Sequence, residues 1–118
     1  MEIKLSKNSE GIHILELSGN LDLLSSDQLK DYVMKMLKTR IECFIISVKN
    51  IESINSAGIG ALIFISSTLR KLNCTLVMHV PEGPVLEALE VSKLKNYFQI
   101  VQSLKEAVEL ASSAGKAG

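Results

Sequence analysis

The sequence predicts a single α/β domain: a mixed, mostly parallel sheet of about five strands packed by about four helices. Three observations carry that expectation. Strand-like and helix-like patterns alternate along the chain with no interior linker and no internal repeat. Cys43-Phe44-Ile45-Ile46-Ser47-Val48 is a nearly continuous apolar run, the pattern of a central strand buried on both faces. Leu29, Tyr32, Val33, Met36 and Leu37 follow the i, i+3, i+4, i+7, i+8 spacing of one buried helical stripe.

The elements follow in order. Ile3 to Leu5 reads as a short strand, and Asn8-Ser9-Glu10-Gly11 as a turn. Ile12 to Ser18 has apolar residues on both faces, so this strand is expected to be covered on both sides. Ser25 is the expected cap of the first helix, with Gln28 completing an S-x-x-Q capping box. After the Cys43–Val48 strand, a second helix is expected from about Ala57 to Leu72. Thr75 to Val80 is another strand, ended by Pro81-Glu82-Gly83-Pro84, and Pro84 opens a short helix to Glu90. Phe98 to Val101 is a last short strand. Ser103 caps a final helix with Glu106 three residues on, and Leu104, Ala107, Val108 and Ala111 form its buried stripe. The domain is expected to span residues 1–111. Residues 112–118 are small and polar and are expected to fray as a flexible tail. This β-β-α-β-α-β-α-β-α order leaves the strand order open.

Composition narrows the function. The chain has 118 residues, enough for one core. It is 47% hydrophobic but only 4% aromatic and has no Trp, so the core must be aliphatic. Thirteen basic residues cancel thirteen acidic ones, and no basic excess points to nucleic acid. No apolar run approaches the ~20 residues of a membrane span, so no direct membrane insertion is expected. Met1-Glu2-Ile3-Lys4 lacks the apolar region of a signal peptide, and the expected compartment is the cytoplasm. Cys43 and Cys74 belong to no C-x-x-C pair and read as reduced, buried, inert thiols. His13 reads as an exposed strand residue and His79 as a satisfied sheet-edge residue. With no Cys/His/Asp cluster, neither a metal nor a cofactor is expected.

One stretch stands out: Ile51-Glu52-Ser53-Ile54-Asn55-Ser56-Ala57-Gly58-Ile59-Gly60-Ala61-Leu62-Ile63. A polar turn holding Ser56 falls between an apolar strand and an apolar helix. A helix start offers free N–H groups and the positive dipole end, which favour an anion such as a phosphate on Ser56. Serine is also a favoured helix cap, so cap and switch are both open readings. Ile54 stands where a G-x-S-x-G nucleophile elbow needs Gly, and every Asp (Asp22, Asp27, Asp31) precedes Ser56, so the order of a hydrolase triad is missing. Gly58-Ile59-Gly60 lacks the third Gly of a dinucleotide fingerprint, because position 63 is Ile. Two glycines early in a helix cost stability, up to ~1 kcal/mol each, which suggests that something needs the space.

Leu17-Ser18-Gly19-Asn20-Leu21-Asp22 at the end of the second strand, together with Ile54 to Leu62, resembles the STAS domain of sulphate transporters and bacterial anti-sigma factor antagonists. The resemblance implies a non-enzymatic, stand-alone antagonist acting by partner switching. Ser56 matches the serine that such relatives have phosphorylated, Gly58 and Gly60 match the two glycines after it, and Asp22 matches the acidic residue of the earlier motif. It implies a partner surface of Asn20, Asp22, Asn55, Ser56, Ala57, Gly58, Ile59 and Gly60. The implied partners are a GHKL-type serine kinase that doubles as anti-sigma factor, and a serine phosphatase; the implied state is a monomer or weak dimer. Asn55 and Asn20 depart from the usual aspartate and a common glutamate. The alternative is a STAS scaffold that works without phosphorylation, or a small subunit of a lipid transport or stress-signalling complex.

Overall fold

The computed structural model describes residues 1–117, with side chains through Ser113. Five strands and four helices alternate: β1 (Glu2–Lys7), β2 (His13–Leu21), α1 (Leu23–Met36), β3 (Cys43–Ile54), α2 (Ser56–Lys71), β4 (Thr75–His79), α3 (Pro84–Val91), β5 (Ile100–Val101) and α4 (Leu104–Ala117). A 3-10 turn at Lys95–Tyr97 joins α3 to β5. The expected α/β class and the mixed, mostly parallel sheet are what the chain forms.

The strands lie in the order β1-β2-β3-β4-β5. β1 is antiparallel to β2, and every other neighbour pair is parallel. This order decides where the helices go. Each parallel crossover advances the sheet by one strand, and crossovers of this kind are right-handed. The connections between parallel strands therefore all pass over one face. The packing agrees: Leu29 and Val33 of α1, Leu62, Ile65 and Leu69 of α2, and Val85, Leu86 and Leu89 of α3 share one core with Leu15, Leu17, Phe44 and Ile46. Only α4, which follows the last strand, folds back over the other face. There Ala107 and Ala111 pack on Ile12, Ile14, Ile45 and Val77. β2, β3 and β4 are thus covered on both sides, as their apolar runs require.

Several boundaries differ from the expectation. Asp22, not Ser25, caps α1; Ser25 sits three residues on and returns the bond, closing a capping box of Asp22 and Ser25. Gln28 has no part in the cap, and its side chain donates weakly to the Met1 carbonyl at 3.5 Å. β3 runs six residues past Val48, and β2 three past Ser18. Irregularities in the β2–β3 pairing, between Glu16 and Ser18 and between Gly19 and Asn20, break the alternation there. β5 is only Ile100–Val101, and Phe98 is instead a buried core residue. His79 is not at a sheet edge: β4 is interior, and the ring is buried with Nδ1 2.7 Å from Ser47 Oγ. His13 is only partly exposed, and its Nδ1 is buried with no partner among the described residues. Cys43 and Cys74 are both free; Cys43 is buried as expected but Cys74 only partly so, and burial pushes each thiol up from its ordinary pKa. Ser103 caps α4 as expected, accepting from the Glu106 N–H at 3.1 Å. The α4 backbone continues through Ala117, and Gly118 lies outside the described residues.

Candidate functional site

β2 and β3 end side by side, with Asn20 opposite Ser53 and Leu21 opposite Ile54. Each then runs directly into a helix capped by one polar side chain. Carboxyl ends of strands in open α/β sheets are where sites are commonly built. A single backbone bond ties the two helix starts together: the Asn55 N–H donates to the Leu21 carbonyl at 3.2 Å.

The first start is closed by Asp22. Its carboxylate accepts from the Ser25 N–H at 3.1 Å, while the Asp22 N–H donates to Ser25 Oγ at 2.8 Å. The Ser25 hydroxyl in turn donates to the Asn20 carbonyl at 2.7 Å. The hydrogen bond from the Ser25 backbone, then that from its hydroxyl, hold the Asp22 carboxyl below its ordinary pKa. It is an anion at neutral pH. Asn20 Oδ1 accepts from Ser53 Oγ at 2.7 Å, so the ends of β2 and β3 are also linked through side chains.

The second start resolves the choice between cap and free serine. Asn55 is the N-cap of α2, and its Oδ1 accepts from the Gly58 N–H at 3.1 Å. Ser56 is the first helical residue, exposed, and its hydroxyl has no hydrogen-bond partner among the described residues. The first bond of the helix is Ile59 N–H to the Asn55 carbonyl, at 3.0 Å. The N–H groups of Ser56 and Ala57 therefore have no protein acceptor among the described residues. They point outward at the positive end of the helix dipole.

The two glycines of α2 have different reasons. A Cβ on Gly58 would lie 2.6 Å from the Leu21 carbonyl oxygen and 2.8 Å from Ile54 Cγ1. Gly58 is buried because the two helix starts and the strand ends close upon it. A Cβ on Gly60 would meet nothing within 4 Å. The fold needs the first glycine and not the second. Ser56, Gly60 and Phe64 are spaced by four and share one exposed stripe of α2. Phe64 is 46% exposed, and the Lys30 ammonium lies 5.6 Å from its ring centroid. α3 packs on β3, and Ser56, Gly60 and Phe64 are each exposed.

Of the site residues expected from sequence, Asn20, Asp22, Asn55, Ser56, Ala57, Gly58, Ile59 and Gly60 all fall at these two joined helix starts. Ala57 and Ile59 are partly buried there. Sequence reasoning missed Leu23 and Leu24, 68% and 82% exposed in the first turn of α1 beside Asp22. The available signal was their spacing, which puts neither on the stripe begun by Leu29. Among the described residues no group of three His, Cys, Asp or Glu side chains could hold a metal, and no helix is long and apolar enough to cross a membrane.

The fold and site define a single α/β domain that presents a helix terminus with a free serine and exposed apolar neighbours. The STAS domain family model matches residues 5–107, and the chain belongs to that family. Solved structures share the fold at low identity. An anti-sigma factor antagonist from Mycobacterium paratuberculosis superposes with a TM-score of 0.80 at 16% identity, covering 94% of this chain and 93% of that one. The antagonist SpoIIAA, a Bacillus cell fate determinant, matches in its unphosphorylated form (TM-score 0.77, 15% identity, 95% and 97% covered) and in its phosphorylated form (TM-score 0.67, 15% identity, 92% and 97%). A serine-to-glutamate variant of RsbS from Moorella thermoacetica superposes at 0.79 with 14% identity over 98% and 99%. A comparison with curated protein sequences returned no match.

Proposed function

We propose that this chain is a partner-switching binding protein of the anti-sigma factor antagonist kind, not an enzyme, and that reversible phosphorylation of Ser56 is its switch. The observation that carries this reading is the division of labour at α2: Asn55 does the capping, and the Ser56 hydroxyl is exposed with no internal duty. A kinase can take that hydroxyl without unmaking the helix start.

In this mechanism the unmodified surface of Asn20, Asp22, Asn55 and the first turn of α2 binds a GHKL-type serine kinase that is also the anti-sigma factor. The phosphate adds about −1.5 to −2 charges at that surface, and the free Ser56 and Ala57 N–H groups hold it there. Burying it against a partner costs desolvation and repulsion of ~2–5 kcal/mol, enough to release the partner. Leu23 and Leu24 supply apolar contact beside it. A serine phosphatase in the cytoplasm resets the switch. The neutral Asn20 and Asn55 leave Asp22 as the acidic group of the motif beside the phosphate.

The test starts with the intact mass of protein purified from its own organism. A fraction heavier by one phosphate, absent in Ser56→Ala, is expected. With the native partner, Ser56→Asp binds more weakly and Ser56→Ala binds as wild type. A phosphate that persists in Ser56→Ala, or equal affinity of the two variants, overturns the switch. A second reading, a scaffold or small subunit of a lipid transport or stress-signalling complex that works unmodified, draws on Asn55 standing in place of the aspartate usual in phosphorylated relatives. It predicts that equal affinity.

A further inference from the structure

We propose that β1 is a self-association edge: two copies pair antiparallel through residues 1–5, joining their sheets across a twofold axis. This proposal is independent of the role of Ser56. β1 ends the sheet, pairs only with β2, and is exposed along nearly its whole length. Its outer side therefore carries unpaired N–H and C=O groups, which are a template for another strand.

The side chains say which strand fits. Ile3 and Leu5 lie opposite Leu17 and Leu15, on the face that carries the main core. Leu15 and Leu17 are fully buried, while Leu5 is 42% exposed, so the apolar row continues past the protection of the helices and stops unfinished. On the other face stand Glu2 and Lys4, opposite Ser18 and Glu16. Among the described residues neither Glu2 nor Lys4 forms an ion pair.

Symmetry and pleat then select one register. Directly opposed residues of antiparallel strands point to the same face, so a residue can face only a residue of the same parity across the twofold axis. Centring the axis on Lys4 sets Lys4 against Lys4 of the second copy, which is repulsive. Centring it on Leu5 sets Ile3 against Lys7. Centring it on Ile3 sets Glu2 against Lys4 twice, Ile3 against Ile3, and Met1 against Leu5. Both faces of the pair are then complementary, with charge on one and apolar contact on the other. Edge lysines normally keep strands apart; here Lys4 has a matching acid two residues away. The strip is short, so the association is weak and exchanging. Because the twofold axis is perpendicular to the sheet, the two Ser56 termini face opposite ways and neither is covered.

The experiment is sedimentation equilibrium from micromolar to millimolar protein carrying no N-terminal tag. The weight-average mass is expected to climb from one chain towards two. Glu2→Lys and Lys4→Glu each turn two attractive pairs into two repulsive ones and weaken association about tenfold or more. The double variant Glu2→Lys/Lys4→Glu restores it. Both side chains are exposed, but Lys4→Glu faces Glu16 across β1 and β2. Circular dichroism and melting of each variant are therefore read beside the association, and Glu16→Gln in all variants removes that repulsion. A chain that stays monomeric at millimolar concentration overturns the proposal. So does association that the single variants leave untouched, which would place the contact elsewhere, or a folded double variant that fails to recover.

Discussion

Substituting each glycine of α2 by alanine separates a glycine the fold requires from one it does not. Both positions are helical, and at both the exchange removes the conformational freedom of glycine from the unfolded chain. That alone stabilises by ~0.5–1 kcal/mol. At Gly60 nothing opposes the gain, because the new methyl enters open space. Gly60→Ala is expected to raise stability by about 0.5–1 kcal/mol, a few degrees in Tm for a domain of this size.

At Gly58 the new methyl would sit 2.6 Å from the Leu21 carbonyl oxygen, 2.8 Å from Ile54 Cγ1 and 2.9 Å from Leu21 Cγ. The carbonyl is backbone, and it accepts the Asn55 N–H that joins the two helix starts. Moving it away strains that bond; leaving it in place forces overpacking. Relief of the clash costs more than alanine gains, and Gly58→Ala is expected to be less stable by about 1–3 kcal/mol net. Urea and thermal unfolding followed by circular dichroism read both variants against wild type. Shifts of opposite sign are expected. Equal shifts, or a Gly58→Ala protein as stable as wild type, refute the reasoning. The same pair informs function: a more stable Gly60→Ala protein that binds its partner less well would place partner backbone over Gly60.

Three further outcomes follow from single residues. Ser26 is buried on α1 with a hydroxyl that has no partner among the described residues, so Ser26→Ala is expected to stabilise by about 1 kcal/mol in urea unfolding. Asp22→Ala removes the α1 cap and lowers the melting temperature, whereas Asp22→Asn keeps an accepting oxygen and most of the stability. The Asp22 pKa is depressed in the fold, so its contribution is complete above the ordinary carboxylate range and is lost as pH falls through the lowered value. A pH series of melts should show the gap between wild type and Asp22→Ala closing in acid. His79 is lowered from its ordinary 6.5, first by burial and also by Lys49, against opposing influences from the Gln102 backbone and Glu16. Below about pH 6.5 the unfolded chain takes up a proton that the folded chain resists, so stability drops as pH falls from 7 to 5, and His79→Gln is expected to flatten that slope.

The fold was legible because its strongest signals are long and periodic. The Cys43–Val48 run, the Leu29–Leu37 stripe and the capping pair Ser103–Glu106 each landed where their pattern placed them. Boundaries were lost where two local solutions compete. Asp22, Ser25 and Ser26 can all cap a helix, and the cap falls on Asp22, so that Leu23 and Leu24 open the helix off the stripe begun by Leu29. The far half of β3 was hidden because Lys49, Asn50, Glu52 and Ser53 interrupt the apolar run just where the pairing with β2 slips. Strand order was unreadable because side-chain pattern reports which faces are covered, not which strand lies beside which.

The site was legible as a place, while the choice between cap and free serine at Ser56 was left open by the sequence and rests on Asn55. Read alone, Asn55 is the loss of an acidic residue before Ser56. In the structure it is the residue that leaves Ser56 free, because its side chain takes the Gly58 N–H that a serine cap would otherwise take. An aspartate at position 55 could make the same bond, but it would set a negative charge one residue from a phosphate. Asparagine caps as well and repels nothing. The exchange therefore keeps the geometry of the α2 start and removes one negative charge beside Ser56. Asn55→Asp should leave the unfolding free energy within about 0.5 kcal/mol of wild type, since Asn and Asp cap comparably. If it also changes the rate at which a kinase modifies Ser56, residue 55 tunes the switch by charge, and its capping role stands apart from that tuning.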